Sequence, residues 1–320
     1  MMPGGLKIEK RKIRGETSNG MLCSSRELGL GHEHDGILAL ETDVAPGTPL
    51  LDVLPIADAR LDLDVLPNRP DLLSHVGVAR EIAALLGVQI SEHPTEIAPA
   101  APNVPLHSAP SSAAGAHATV RIDDAVSCPR YSAAVITGVQ VGPSPDWLRQ
   151  RLESIGQRSI SNVVDATNYV LHGLGQPVHA FDLAKLSGAG IVVRPSVTGE
   201  SIVTLDGATR ALTAGTTVIC DGERPVALAG VMGGLDSEVT LTTTDVLLEV
   251  AVFEPRFVRR VRRAVNLSTD ASYRFERGVD GRRTLEVARM AAALIVQVAG
   301  GQVVEFIDVG APMAARDAVT

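Results

Sequence analysis

The sequence predicts an α+β fold, mixed and antiparallel sheet with packed helices, preceded by what reads as the tail of a small β domain. Three observations carry the main part of that prediction. Asp206-Gly207 and Asp221-Gly222 each lie between short apolar runs, the strongest short-range hairpin signal. Helical patterns are interspersed with these hairpins without a regular strand–helix–strand alternation, which disfavours a doubly wound sheet. Residues 92–117 are Pro, Ala, Ser and His with almost no large apolar side chains, a composition that cannot offset chain ordering and reads as a linker.

Taken in order, Lys7–Arg14 alternates only in part and is expected as a strand, and Glu27–His34 is broken by glycine. Asp71–Gly87 is expected as a helix: Asn68-Arg-Pro-Asp71 supplies a turn and N-cap, Gly87 the stop, and Val76, Ala79, Ala83 and Leu86 an apolar stripe. Tyr131–Val141 is a β-branched run, and Pro145–Ile155 a short helix opening at proline. Ser161 is a good N-cap for a helix that breaks at Gly173-Leu-Gly175 and delivers Pro177, His179 and Asp182 in a loop. Ile191–Pro195, Asp245–Phe253 and Val303–Val309 read as strands, and Arg283–Val298 as a helix ending at Gly300-Gly301.

The length of 320 residues favours about two domains. The 45% hydrophobic and 21% charged residues suit a globular chain with a sizeable core. A net charge of −8 argues against a general polyanion binder but leaves room for a local basic patch. Only 3% of residues are aromatic, too few for broad base stacking. Cys23, Cys128 and Cys220 are far apart, which fits neither a disulfide framework nor a zinc site and points to a reducing compartment. No signal peptide or membrane span is expected.

Several segments are candidates for chemistry. His172, His179 and Asp182 form no standard metal-ligand spacing; they are satisfied structural groups, a polar binding loop in which His179 orients water or substrate, or a metal set. Ala229–Gly234 is glycine-rich but lacks the endings of phosphate-binding and dinucleotide loops; it is a hairpin-end turn or a close approach to a ligand. Glu249, alone among strand residues, needs a partner: an arginine salt bridge or a ligand donor. Arg256, Arg259, Arg260 and Arg263 share one face of a helix over Pro255–Val265, a solvated face or a phosphate contact. Ser268–Gly278 is dense in polar groups with no apolar period and is expected to pack under a site or form its wall.

The motifs Asn162–Asp182, Ala229–Gly234, Leu247-Leu-Glu249 and Leu267–Asp280 closely resemble the editing domain of the bacterial phenylalanyl-tRNA synthetase beta-subunit family. Asn19–Leu30 resembles the last part of its inserted OB-type tRNA-binding domain, and Leu63–Gly87 the short domain that follows. The resemblance implies an OB-type remnant at 1–42, a small α/β domain at 43–91, the linker at 92–117, the editing domain at 118–312 and a tail at 313–320. It implies hydrolysis of tyrosine mischarged onto the phenylalanine tRNA. The implied catalytic residues are His179, Thr167 and Asn168, and the substrate contacts Glu249, Pro177, Gly230, Gly233, Thr269 and Ala271. Arg256, Arg259, Arg260 and Arg263 are the expected tRNA contacts.

The implied partners are the phenylalanine tRNA and the family's alpha subunit, which carries the aminoacylation site, in a cytoplasmic heterotetramer. No metal or other cofactor is expected for this chain; ATP and Mg belong to the whole enzyme. No membrane or DNA partner is expected. Measured against the family, the chain is expected to be truncated at both ends, with Tyr273 where the family usually has His. Two other readings stay open: a non-catalytic binding or assembly module, and a metallohydrolase using His172, His179 and Asp182.

Overall fold

A computed structural model describes residues 7–31, 34–40, 42–54, 61–90, 103–311 and 313. Residues 92–102 of the expected linker and 314–320 of the expected tail lie outside the described residues. The chain divides into two compact units, 1–63 with 146–159, and 64–145 with 160–320.

In the first unit, β1 (Arg11–Ile13) and β2 (Glu16–Ser18) form an antiparallel hairpin. Arg14 and Gly15 between them both have positive φ, 53° and 92°, as the two-residue turn matching strand twist requires. A single turn, α1 (Leu50–Val53), follows. After α2 (His75–Leu86) of the second unit, the first unit also contributes α3 (Asp146–Ser154).

The start of α2 corrects the expected cap. Ser74, not Asp71, is the N-cap, its Oγ accepting from Gly77 N at 3.0 Å. Asp71 instead pairs with Arg69, which also reaches Glu81. Gly87 ends the helix at φ 65°, as expected. Of the predicted stripe, Ala83 is buried and Leu86 is exposed.

The linker expectation does not hold over 103–117. That stretch carries β3 (Leu106–Ala109) and β4 (Ser112–Ala114). Backbone pairing holds these strands where side chains offer little. The buried Glu305 carboxylate accepts from the backbone N–H groups of Ala116, His117 and Ala118, fixing the turn that follows. Composition registers side-chain hydrophobicity and is blind to that anchor.

The remaining strands are β5 (Thr119–Ile122), β6 (Arg130–Thr137), β7 (His179–Asp182), β8 (Gly190–Pro195), β9 (Ser201–Val203), β10 (Thr209–Ala211), β11 (Thr217–Cys220), β12 (Pro225–Leu228), β13 (Met232–Gly233), β14 (Asp245–Val252) and β15 (Gln302–Gly310). One sheet runs β13-β12-β11-β8-β5-β4 and a second β3-β15-β6-β14-β7, each with one parallel pair among antiparallel ones. β9 and β10 form the Asp206-Gly207 hairpin. The helices are α4 (Asn162–Leu174), α5 (Pro255–Ala264), α6 (Asp270–Phe275) and α7 (Thr284–Ala299).

Strand alternation sorts the five-stranded sheet into two faces. Tyr131, Ala133, Phe181, Leu247, Ala251 and Ile307 join Val120, Ile191, Val193, Val218 and Leu228 of the other sheet in one buried cluster. Val246, Leu248 and Val250 point the other way, toward α7, which packs on β6, β14 and α4. Glu249 has the parity of the first set, so its carboxylate enters the layer between the sheets.

Candidate functional site

The centre of the site is a cross-strand pair. Glu249 on β14 lies directly opposite His179 on β7, with Ala133 of β6 on its other side. Directly opposed residues project from the same face, so Glu249 and His179 are neighbours in the inter-sheet layer. This corrects the expected loop at 177–182: His179–Asp182 is a strand. Its pairing with β14 is a long-range contact that Pro177 and the preceding glycines do not signal.

Glu249 is 6% exposed and its partner is a phenol, not an arginine: Tyr131 Oη donates to Oε2 at 3.1 Å. Burial pushes the Glu249 carboxyl up to about 8, against the smaller downward pull of that hydrogen bond. Burial, followed by the nearby Glu249 carboxylate, raises the Tyr131 phenol well above its usual range. At neutral pH Glu249 is therefore a protonated acid. With Tyr131 donating to Oε2, the proton belongs on Oε1, which can donate or accept.

His179 is half-buried as a residue, but its Nε2 is shielded and has no hydrogen-bond partner among the described residues. Burial lowers the ring to about 4, so it is neutral at pH 7 and its unprotonated nitrogen can accept a hydrogen bond. Phe181 meets the ring edge-on at 4.4 Å between centroids. Gly233 lies against it: a Cβ there would stand 2.5 Å from His179 Cε1 and 2.8 Å from Nε2. The missing side chain is what admits the imidazole.

The glycine segment is wound into a turn ending in β13, not a phosphate cradle. Gly230 has φ 69°, and a Cβ there would press on Phe253, Val258 and Phe275 at 3.0–3.2 Å. Its place is thus set by packing against aromatic and aliphatic side chains. Thr269 ties the segment to α6: its Oγ1 donates to Val231 O at 2.7 Å and accepts from Ser272 N, completing a capping box. Ala271 is half-buried against the core cluster. The polar wall expected at Ser268–Gly278 is thus a short helix with Ser272, Arg274 and Phe275 buried.

Thr167 and Asn168 lie on α4, which packs on β7. The Ser161 cap accepts from Val164 N as expected. Thr167 is buried, its hydroxyl donating to Val164 O at 2.7 Å; Asn168 is half-buried. Pro177 is buried beside Gln176, whose Nε2 donates to Ala251 O on β14.

His172, His179 and Asp182 do not assemble as a metal set, and among the described residues no cluster of three His, Cys, Asp or Glu side chains is built to hold a metal ion. Asp182 accepts from Thr243 Oγ1 at 2.6 Å and caps the short turn at Ala184. His172 sits at the end of α4 within 3.3 Å of Arg274 Nη2.

The four expected arginines occupy α5 but divide. Arg256 pairs with Glu254 at 2.9 Å and Arg260 lies 4.9 Å over Phe257. Arg259 and Arg263 line a cleft with Arg262 and Arg277. Sequence reasoning missed Arg262 and Arg277, and also Tyr131. The signal for Tyr131 was a hydroxyl inside a β-branched run, a buried donor in need of an acceptor.

The model of the B3/4 domain family matches residues 127–300, more than half of the chain. The chain is 49% identical over 303 residues to a phenylalanine--tRNA ligase beta subunit of Syntrophotalea carbinolica, covering 95% of this chain and 36% of that protein. It is 51% identical over 302 residues to the beta subunit of the same name from Anaeromyxobacter dehalogenans, covering 94% and 36%. The chain thus spans about a third of the length of these relatives. A crystallised N-terminal fragment of the phenylalanyl-tRNA synthetase beta subunit from Pyrococcus horikoshii is similar over 75% of this chain and 60% of its own, at 16% identity and TM-score 0.36.

Proposed function

Since the chain belongs to the B3/4 domain family, we propose that it carries an aminoacyl-ester hydrolase site that clears tyrosine from the phenylalanine tRNA. The observation that carries this reading is the buried Glu249 carboxyl, opposite His179 and held by Tyr131. Phenylalanine and tyrosine differ by one hydroxyl, which an apolar synthetic pocket rejects only by roughly 100-fold, so a second sieve of opposite preference is useful. Glu249 supports such a sieve. A tyrosyl phenol can exchange a hydrogen bond with Oε1, while a phenyl ring leaves Oε1 desolvated and unpaired, with only Oε2 held by Tyr131. That difference is worth about 1–3 kcal/mol, or roughly tenfold to a hundredfold.

An aminoacyl ester is already reactive, so placing water near the carbonyl can suffice without a covalent nucleophile. In this reading His179, neutral at pH 7, accepts a hydrogen bond from the attacking water, and Thr167 and Asn168 hold the ester end. Gly230 and Gly233 let backbone approach the amino acid, Pro177 and Thr269 hold the surrounding segments, and Ala271 keeps the pocket open.

The same reading makes the phenylalanine tRNA and an alpha subunit the partners of the whole cytoplasmic protein. In this reading ATP and Mg serve amino-acid activation by the whole enzyme.

The test is deacylation of tyrosyl- and phenylalanyl-esters of the phenylalanine tRNA by the purified chain. The parent should prefer the tyrosyl ester, and Glu249→Ala should lose that preference by about tenfold or more. Unchanged discrimination in the variant would sink the role of Glu249. A folded parent that hydrolyses neither ester would leave only a binding or assembly role.

A further inference from the structure

Arg274, on α6, is 7% exposed, and its guanidinium serves three separate parts of the chain. Nη1 donates to Asp270 O at 3.0 Å and to Asp270 Oδ1 at 3.1 Å, in the first turn of α6. Nε donates to Leu73 O at 3.2 Å, in the corner that leads into α2. Nη2 lies 3.3 Å from His172 Nδ1, in the last turn of α4. A guanidinium only donates, so Nδ1 is the acceptor and the imidazole proton sits on Nε2. Burial, followed by the charge of Arg274, lowers His172 to about 4 and keeps the ring neutral at pH 7.

The corner before α2 closes on the same point. His75 Nδ1 lies 3.0 Å from His172 O. A Cβ on Gly175, the left-handed residue that ends α4, would stand 3.1 Å from Ser74 Cβ. From Gly175 the chain runs through Pro177 to His179 on β7.

Both helices that Arg274 joins carry residues of the site. α4 bears Thr167 and Asn168 and aims the segment that reaches His179. α6 bears Ala271 and opens at Thr269, which ties down Val231 O in the glycine turn. Burying a guanidinium is costly, and desolvation draws Arg274 below its usual range. An apolar side chain would hold α6 on the core without that cost. What the guanidinium adds is direction, since its fork of donors fixes one offset between the helices it bridges.

We propose that Arg274 is a positioning residue of the hydrolytic site. Through His172 it sets α4, with Thr167, Asn168 and the approach to His179, against α6, with Thr269 and Ala271. That the positioned residues hydrolyse an ester rests on the function proposed above; the three-way clamp does not. Leu73 lies outside residues 127–300, so the clamp also ties the matched domain to the segment before it.

The experiment follows hydrolysis of the tyrosyl ester of the phenylalanine tRNA by the full chain and its variants, together with the NMR signals of the Ala271 methyl and the His179 ring. His172→Leu removes the acceptor of Nη2, whereas His172→Asn puts an amide oxygen where Nδ1 accepts. Arg274→Lys keeps a charge beside Asp270 but loses the fork that spans three acceptors. Arg274→Lys and His172→Leu should lower kcat by about tenfold to 100-fold, the cost of displacing a reacting group by up to about an ångström, and leave KM within about twofold. Both should shift the Ala271 and His179 signals. His172→Asn should bring kcat and both signals back toward the parent's. The double variant should be no slower than Arg274→Lys alone, because both changes break one contact.

A His172→Asn as slow as His172→Leu would overturn the proposal, as would parent kcat in a folded His172→Leu. So would a loss of rate that only follows the loss of folded chain by circular dichroism. If Arg274→Lys fails to fold, the two His172 variants decide alone. A parent that hydrolyses no tyrosyl ester would defeat the hydrolase reading instead. The NMR signals would then still decide the clamp, which holds if they move in His172→Leu and stay in His172→Asn, and falls if they move in neither or in both.

Discussion

Glu249 sits between two sheets with a phenol for a partner, whereas Glu276 sits under α5 with two guanidinium groups. Both are nearly out of water, and the same residue type does opposite work. Around Glu249 no cation among the described residues offsets desolvation, so the acid keeps its proton and is held by one directional hydrogen bond. Around Glu276 cations are in excess, and the carboxylate organises a field. The first arrangement suits discrimination by a single hydroxyl and should ignore salt. The second suits a polyanion and should be governed by salt. Both lie within one compact unit.

The sharpest way to break the first half of this contrast is to fill the space beside His179. Gly233→Val puts a branched side chain where even a Cβ meets the imidazole at 2.5 Å. The ring must turn away. Misplacing one reacting group by about an ångström costs on the order of 100-fold in rate, and deacylation should fall by about that much. Circular dichroism should stay at the parent's. Full activity in a folded variant would remove His179 from the reacting end.

A smaller effect tests whether Glu249 lacks a counter-charge. Between its ordinary 4.5 and about 8, the folded chain holds a proton on Glu249 that the unfolded chain releases. Stability should therefore fall as pH rises through that window, by on the order of a few kcal/mol for a fully buried acid. His179 acts in the other direction: lowered from 6.5 to about 4, it withdraws stability as pH falls through that range. Glu249→Gln stays neutral and can keep the Tyr131 bond. Urea midpoints of the variant should rise to about pH 6.5 and then stay flat, while the parent's decline toward pH 8. A parent without that alkaline decline would mean that Glu249 finds water or a cation.

Much of the scaffold for this contrast was legible in the chain. Ser161, Gly87 and Asp206-Gly207 mark their caps and turn because those signals act over a few residues. β3 and β4 were hidden because Glu305, nearly two hundred residues away, supplies the anchor their composition lacks. α6 was missed because a six-residue helix held by the Thr269 capping box shows no apolar period. For the site, the types were readable and the pairings were not. A lone Glu249 announces that it needs a partner, but that the partner is Tyr131 depends on β6 and β14 lying side by side in one register. The arginines of α5 could be placed on a helix by spacing. Which of them shared a cleft depended on Glu276, a residue of the following turn.

That register yields the smallest and most specific prediction. In Tyr131→Phe the ring still fills its place in the core, and only the donor to Glu249 Oε2 is lost. The hydrogen bond normally draws the Glu249 carboxyl downward against burial, so its removal should push the acid further up and extend the upper end of the alkaline loss of stability to higher pH, its start staying at the ordinary 4.5. It also frees the carboxyl to turn, so the tyrosyl ester should lose up to about tenfold of its preference over the phenylalanyl ester, consistent with about 1 kcal/mol for one such bond. The two readouts must move together. A shifted pH limb with unchanged ester preference would make Tyr131 a structural partner of Glu249 alone, and the reverse would place the hydroxyl in direct contact with substrate.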